Sequence, residues 1–163
     1  MMYRIIFLVL LTGFLSAVET VKSQDLPFRK EVNYIDSVLL KNPYFENFLE
    51  ITYYYSLDIT GEKELIVKMD FNGPFTTTFT ARLTDLNNTF MVDTTEYNSS
   101  VCWLCREDET GKEKRCIKQE NLYTTGEKDI VDSDNICIML TTQSEIRLEL
   151  IKAIEELVKK VLE

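Results

Sequence analysis

Residues 50–72 read EITYYYSLDITGEKELIVKMDFN, and the way they alternate sets the fold. Ile51, Tyr53, Tyr55, Leu57 and Ile59 fall on one side of an extended chain, with Thr52, Tyr54, Ser56, Asp58 and Thr60 on the other. Successive side chains of a strand point to opposite faces, so strict alternation marks a half-buried strand. Gly61-Glu62 breaks the pattern with a tight turn, and Leu65, Val67, Met69 and Phe71 return opposite Lys68, Asp70 and Asn72. The two runs predict an antiparallel hairpin with one apolar face.

The pattern continues downstream. Asn72-Gly73-Pro74 punctuates, and Phe75, Thr77, Phe79, Ala81 and Leu83 then alternate with Thr76, Thr78, Thr80, Arg82 and Thr84. Further extended runs are TFMVDTT at 89–95, VCWLCRE at 101–107, RCIKQENLY at 115–123 and ICIML at 136–140. Connections this short force antiparallel neighbours, because a parallel return needs a crossover of a dozen or more residues. The middle of the chain is expected to be a meander of about seven antiparallel strands, forming a curved sheet or closing toward a barrel to avoid a long open edge.

Both ends of this domain read as helix. Phe28, Val32, Ile35 and Leu39 follow helical spacing and stop at Asn42-Pro43. Near the C-terminus Ile146, Leu150, Ile154, Leu157 and Val161 form one apolar stripe, with a capping box at Thr142 and Glu145 and with Lys159 and Lys160 at the negative end of the dipole. The stripe predicts packing against the apolar face of the sheet. The fold class is therefore α+β.

The first residues read MMYR, then IIFLVLLTGFL, then SAVETVKSQ. One positive charge, an apolar run too short to span a bilayer and small residues beyond it predict a secretory signal peptide over 1–23, cleaved after Ala17 or Ser23. Residues 24–163 then make one domain, long enough for a real core. The sequons at Asn87 and Asn98 agree with an extracellular glycoprotein. The formal net charge of -9 argues against nucleic acid or an anionic membrane surface as partner, since both need clustered Lys and Arg.

Four cysteines sit in this secreted context: Cys102, Cys105, Cys116 and Cys137. In an oxidising compartment an even count is read first as disulfides. A hairpin turning at Thr110-Gly111 places Cys105 opposite Cys116 and leaves Cys102 to Cys137; a shifted turn exchanges the partners, joining Cys102 to Cys116 and Cys105 to Cys137. A redox-active CxxC requires a helix N-terminus, whereas the run after Cys105 is a charged turn. Zinc requires a second chelating pair, and Cys116 and Cys137 are too far apart in sequence to supply one.

The chain contains no histidine, which removes Ser-His-Asp and Cys-His nucleophile pairs, and it contains no phosphate-binding glycine loop. Carboxylates at Asp58, Asp70 and Asp93 sit on polar strand faces, where solvated acids are common. The expectation is a secreted non-enzyme that needs no cofactor or metal. It is expected to hold a small apolar or amphipathic ligand between sheet and helix, with Tyr53, Tyr55, Val67, Met69, Phe71, Phe75 and Phe79 as lining residues. The competing expectation is a secreted protein–protein interaction module acting through its loops: an inhibitor, toxin or immune modulator. Helix first, then antiparallel sheet, then two late disulfides resembles the plan of cystatin-like domains. The Gln-x-Val-x-Gly hairpin of inhibitory cystatins is missing, as is the Gly-x-Trp that opens many lipocalins.

Overall fold

The computed structural model describes residues 26–163, apart from 72, 88–90, 95–98, 113 and 142, with 91–94 described as backbone. The expected signal peptide, Thr142 of the capping box and the sequon at Asn98 lie outside the described residues. The chain runs through α1 (Arg29–Lys41), β1 (Tyr44–Glu46), β2 (Ile51–Ile59), β3 (Glu64–Phe71) and β4 (Phe75–Arg82). It continues through β5 (Met91–Thr94), β6 (Ser99–Leu104), β7 (Ile117–Tyr123), β8 (Lys128–Ser133), β9 (Asn135–Leu140) and α2 (Ser144–Leu162).

The class is α+β, with antiparallel sheet throughout, but the strand path is more than a meander. β1 to β4 follow one another in the sheet, and β4 then pairs with β7 rather than β5, giving a six-stranded order β1-β2-β3-β4-β7-β8. β5 and β6 leave to form a second sheet with β9, ordered β5-β6-β9. The departure begins at a 3-10 turn, Leu83–Asp85, whose Leu83 is buried along with Leu86 just beyond it. Burying these two apolar side chains turns the chain off the sheet and into the interior. An isolated bridge between Leu86 and Cys105 then ties the start of the excursion to its end.

The six-stranded sheet stays open, and α1 shields part of one edge. β1 covers only residues 51–53 of β2, so the rest of that strand would expose its backbone. Asp36 on α1 accepts from the Leu57 N–H at 3.0 Å, and Arg29 donates to the Ile59 carbonyl at 3.1 Å while pairing with Asp58. Two helix side chains thus take the place of a neighbouring strand, which is one way a sheet avoids edge-to-edge association.

The apolar periodicities become the core. Val32, Ile35 and Leu39 of α1, Leu150, Ile154, Leu157 and Val161 of α2, and Leu57, Ile59, Leu65, Val67 and Ala81 of the large sheet are all buried. The small sheet adds Val101, Trp103, Ile136, Ile138 and Leu140. The helices are also joined at their surfaces, by Tyr34 with Glu149 and by Glu31 with Lys160.

Candidate functional site

On the core-facing side of the large sheet, register places aromatic residues side by side. Tyr44 on β1 lies opposite Tyr53 on β2, Tyr53 opposite Phe71 on β3, and Phe75 on β4 opposite Tyr123 on β7. Their ring centroids follow one another at 6.2, 5.6, 5.0 and 5.4 Å, the fourth contact being Phe75 to Tyr123 and the third an edge-on meeting of Phe71 and Phe75. Spacings of about 4.5–7 Å are those at which aromatic pairs attract beyond their buried area. Tyr44 is buried at one end of the row; Tyr53, Phe71, Phe75 and Tyr123 are only half-buried. Gly73 makes the row possible, because a Cβ there would lie 2.0 Å from Cε2 of Phe71.

The next row inward mixes apolar and polar groups. Tyr55 lies opposite Met69, Met69 opposite Thr77, and Thr77 opposite Asn121. The buried Thr77 hydroxyl donates to Asn121 Oδ1 at 2.9 Å, and Gln119 Nε2 donates to the same oxygen at 3.2 Å. A buried polar group requires such partners, and here three side chains supply one another. Burial pushes the Tyr55 phenol up to about 12, against the opposing pull of a hydrogen bond from the Met139 backbone. Burial, helped by the hydrogen bond from its hydroxyl to Glu46 at 3.0 Å, raises the Tyr44 phenol as well.

The seven residues expected to line a ligand site therefore lie on one face and divide by depth. Tyr55 and Val67 are buried, whereas Tyr53, Met69, Phe71, Phe75 and Phe79 are half-buried. Tyr44, Tyr123, Thr77, Gln119 and Asn121 belong to the same face and were missed. Tyr123, Gln119 and Asn121 are reached only by knowing that β4 pairs with β7, a neighbour some 35 residues on that sequential pairing does not reach. Tyr44 enters through β1, and Thr77 already shares the alternation of Phe75 and Phe79. Tyr54 points outward, as its alternation implies.

Cys102 is paired with Cys137 and Cys105 with Cys116, so the two sulfurs of the CxxC serve different partners. The first pair bridges directly opposed residues of β6 and β9. The second forms without the expected hairpin, because β6 and β7 belong to different sheets. Cys105 follows β6 and Cys116 precedes β7, so this bond ties the ends of the two sheets together. Asn87 is half-buried and donates its backbone N–H to Leu104 at 2.8 Å. Asp58 is engaged by Arg29, and Asp70 lies opposite Tyr54, four residues along β2. That is about 13 Å at strand rise, beyond the span of a carboxylate pair acting on one bond. The Asp93 side chain lies outside the described residues.

Fold and site together define a cystine-braced α+β protein with two antiparallel sheets and a half-buried aromatic row. No protein-family model, curated protein or solved structure matches the chain.

Proposed function

We propose that the chain is a secreted, non-enzymatic protein that binds a small apolar or amphipathic ligand along the aromatic row. The observation that carries this reading is the continuity of Tyr53, Phe71, Phe75 and Tyr123, ring against ring across four strands and each still partly exposed. Large rings left half-covered beside an internally satisfied polar cluster combine apolar area with a few oriented polar atoms, the usual composition of a small-molecule site. Glu46 on β1 and Asp129, opposite Asn121 on β8, flank the face with negative charge. They favour a neutral or cationic head group over a carboxylate. The disulfides and the signal-peptide reading of residues 1–23 support an extracellular setting.

The test is titration of the disulfide-intact protein with the neutral apolar dye Nile red, competed by an alkylammonium and an alkylcarboxylate of equal chain length. Expected are saturable binding, preferential displacement by the ammonium, and affinity about tenfold lower or worse in Phe75→Ser and Tyr53→Ser. Absence of saturable binding, with no lipid-sized adduct on secreted protein in native mass spectrometry, would sink the reading.

A second reading rests on the β1–β2 hairpin tip. Phe48 is 90% exposed and Leu49 57%, on a turn where Glu46 accepts from the Phe48 N–H at 3.1 Å and Glu50 has φ 53°. An apolar tip held in fixed shape suits a protein pocket, the interaction-module alternative. Phe48→Asp leaves dye binding intact in the first reading. In the second it is Phe48, and not Phe75, whose loss releases the protein from an extracellular partner.

A further inference from the structure

The two edges of the large sheet are treated differently. α1 shields the β2 edge with Asp36 and Arg29, whereas β8 ends the sheet on the other side with no described strand beyond it. All but the last of its residues are exposed, including Ile130 at 55% and Val131 at 45%.

Hydrogen-bond phase shows which groups are free to pair. The Tyr123 N–H donates to the Glu127 carbonyl at 2.9 Å, which fixes Tyr123 and Glu127 as a bonded pair. Bonded pairs recur every second residue in an antiparallel ladder, so Asp129, Val131 and Ser133 turn their backbone groups toward β7. Lys128, Ile130 and Asp132 turn theirs outward.

We propose that β8 is the interface for a second copy of this chain, paired antiparallel about a two-fold axis at Ile130. In that register Ile130 meets Ile130 of the second copy, and Lys128 meets Asp132 at both ends. All these side chains lie on the same outer face, because they alternate with Asp129 and Val131. About six backbone hydrogen bonds form, an apolar pair sits on the axis, and an opposite-charge pair closes each side. Sliding by two residues to centre on Lys128 or on Asp132 brings like charges together on the axis. Self-complementarity of this kind is what a closed two-fold contact requires. The contact is small, and the net charge of -9 on each copy opposes it, so the dimer is weak and concentration-dependent. Lys128 also lies 2.8 Å from Glu120 on β7 and is 57% exposed, so its ammonium bridges Glu120 and the incoming Asp132 without leaving water.

Sedimentation equilibrium of the full secreted protein, from micromolar up to about 1 mM, reads the association directly. The wild type is expected to populate dimer reversibly. Ile130→Pro removes only an outward N–H, leaves the β7 ladder intact, and is expected to be monomeric throughout. Lys128→Asp and Asp132→Lys are each expected to weaken the dimer about tenfold or more, and the double variant to restore it. Circular dichroism confirms that each variant folds. A wild type monomeric over the whole range overturns the proposal. So does a dimer indifferent to Ile130→Pro, or a double variant as weak as the single ones.

Discussion

Lys63 occupies, in the loop joining β2 to β3, the left-handed position that Gly126 occupies in the loop joining β7 to β8. In the first loop the Thr60 N–H bonds to Glu64 and the Lys63 N–H to Thr60; in the second the Tyr123 N–H bonds to Glu127 and the Gly126 N–H to Tyr123. Lys63 has φ 60° and Gly126 φ 86°, and the same three-residue loop recurs at Glu109–Gly111 with Gly111 at φ 74°. Such loops place their last residue in the left-handed region, where a side chain meets the following carbonyl. Glycine fills that place twice. In the β2–β3 loop the glycine is Gly61, two residues too early to help.

Lys63→Gly is therefore expected to stabilise the fold by about 0.5–1 kcal/mol, part of the relief being offset by the greater freedom of glycine in the unfolded chain. Gly126→Ala is expected to destabilise by about 1 kcal/mol, and nothing within 4 Å crowds the new methyl, so the loss is a backbone effect. Urea midpoints at constant m-value measure both.

The Asp36 carboxylate stands in for a strand neighbour of Leu57. Removing it strands a part-buried N–H at the edge of β2. Asp36→Ala is expected to cost about 1–2 kcal/mol, and Asp36→Asn, which keeps an acceptor oxygen, markedly less. Amide exchange at Leu57 should accelerate in the alanine variant alone. Equal loss in both variants would mean that charge, not the hydrogen bond, was the stabilising element.

What the sequence made legible follows from the range of the forces involved. The alternation in β2, β3 and β4 and the stripes of both helices are local records of a single buried face, and each is found where its periodicity puts it. β8 left no such record: on an outer edge both of its faces are wet, and Ile130 and Val131 are adjacent rather than alternate. The pairing of β4 with β7 is a contact across the whole β5–β6 excursion, and no local pattern encodes it. Three of the five rings of the aromatic row were readable, and Tyr44 was not because its three-residue strand is too short to show alternation. Tyr53, Phe71 and Phe75 share one meander, whereas Tyr123 joins only through the long-range register.

Tyr55 makes the folded state sensitive to alkali. Its phenol is pushed up to about 12, so above the ordinary tyrosine value of 10.0 the folded chain keeps a proton that the unfolded chain releases. Its stabilising contribution is complete below pH 10 and is lost as pH rises through 12, at up to about 1.4 kcal/mol per pH unit. Tyr44 shifts in the same direction and adds to the effect. Urea midpoints between pH 8 and 11.5 should fall more steeply for wild type than for Tyr55→Phe. Phenolate absorbance should show one tyrosine ionising only with unfolding. Parallel slopes would place Tyr55 in contact with solvent.

Gly73 offers a way to break the aromatic row without deleting a ring. A methyl at this position would lie 2.0 Å from Cε2 and 2.4 Å from Cδ2 of Phe71, so the ring must swing aside. Phe71 links Tyr53 at 5.6 Å to Phe75 at 5.0 Å, and its displacement splits the row at its centre. The ring is half-buried, so relief is a side-chain rotation and the stability cost stays below about 1 kcal/mol. If the row is the ligand site, Gly73→Ala weakens Nile red binding about as much as Phe71→Ala does, at nearly unchanged urea midpoint. If binding survives the split, the rings are packing alone and the ligand, if any, lies elsewhere on the molecule.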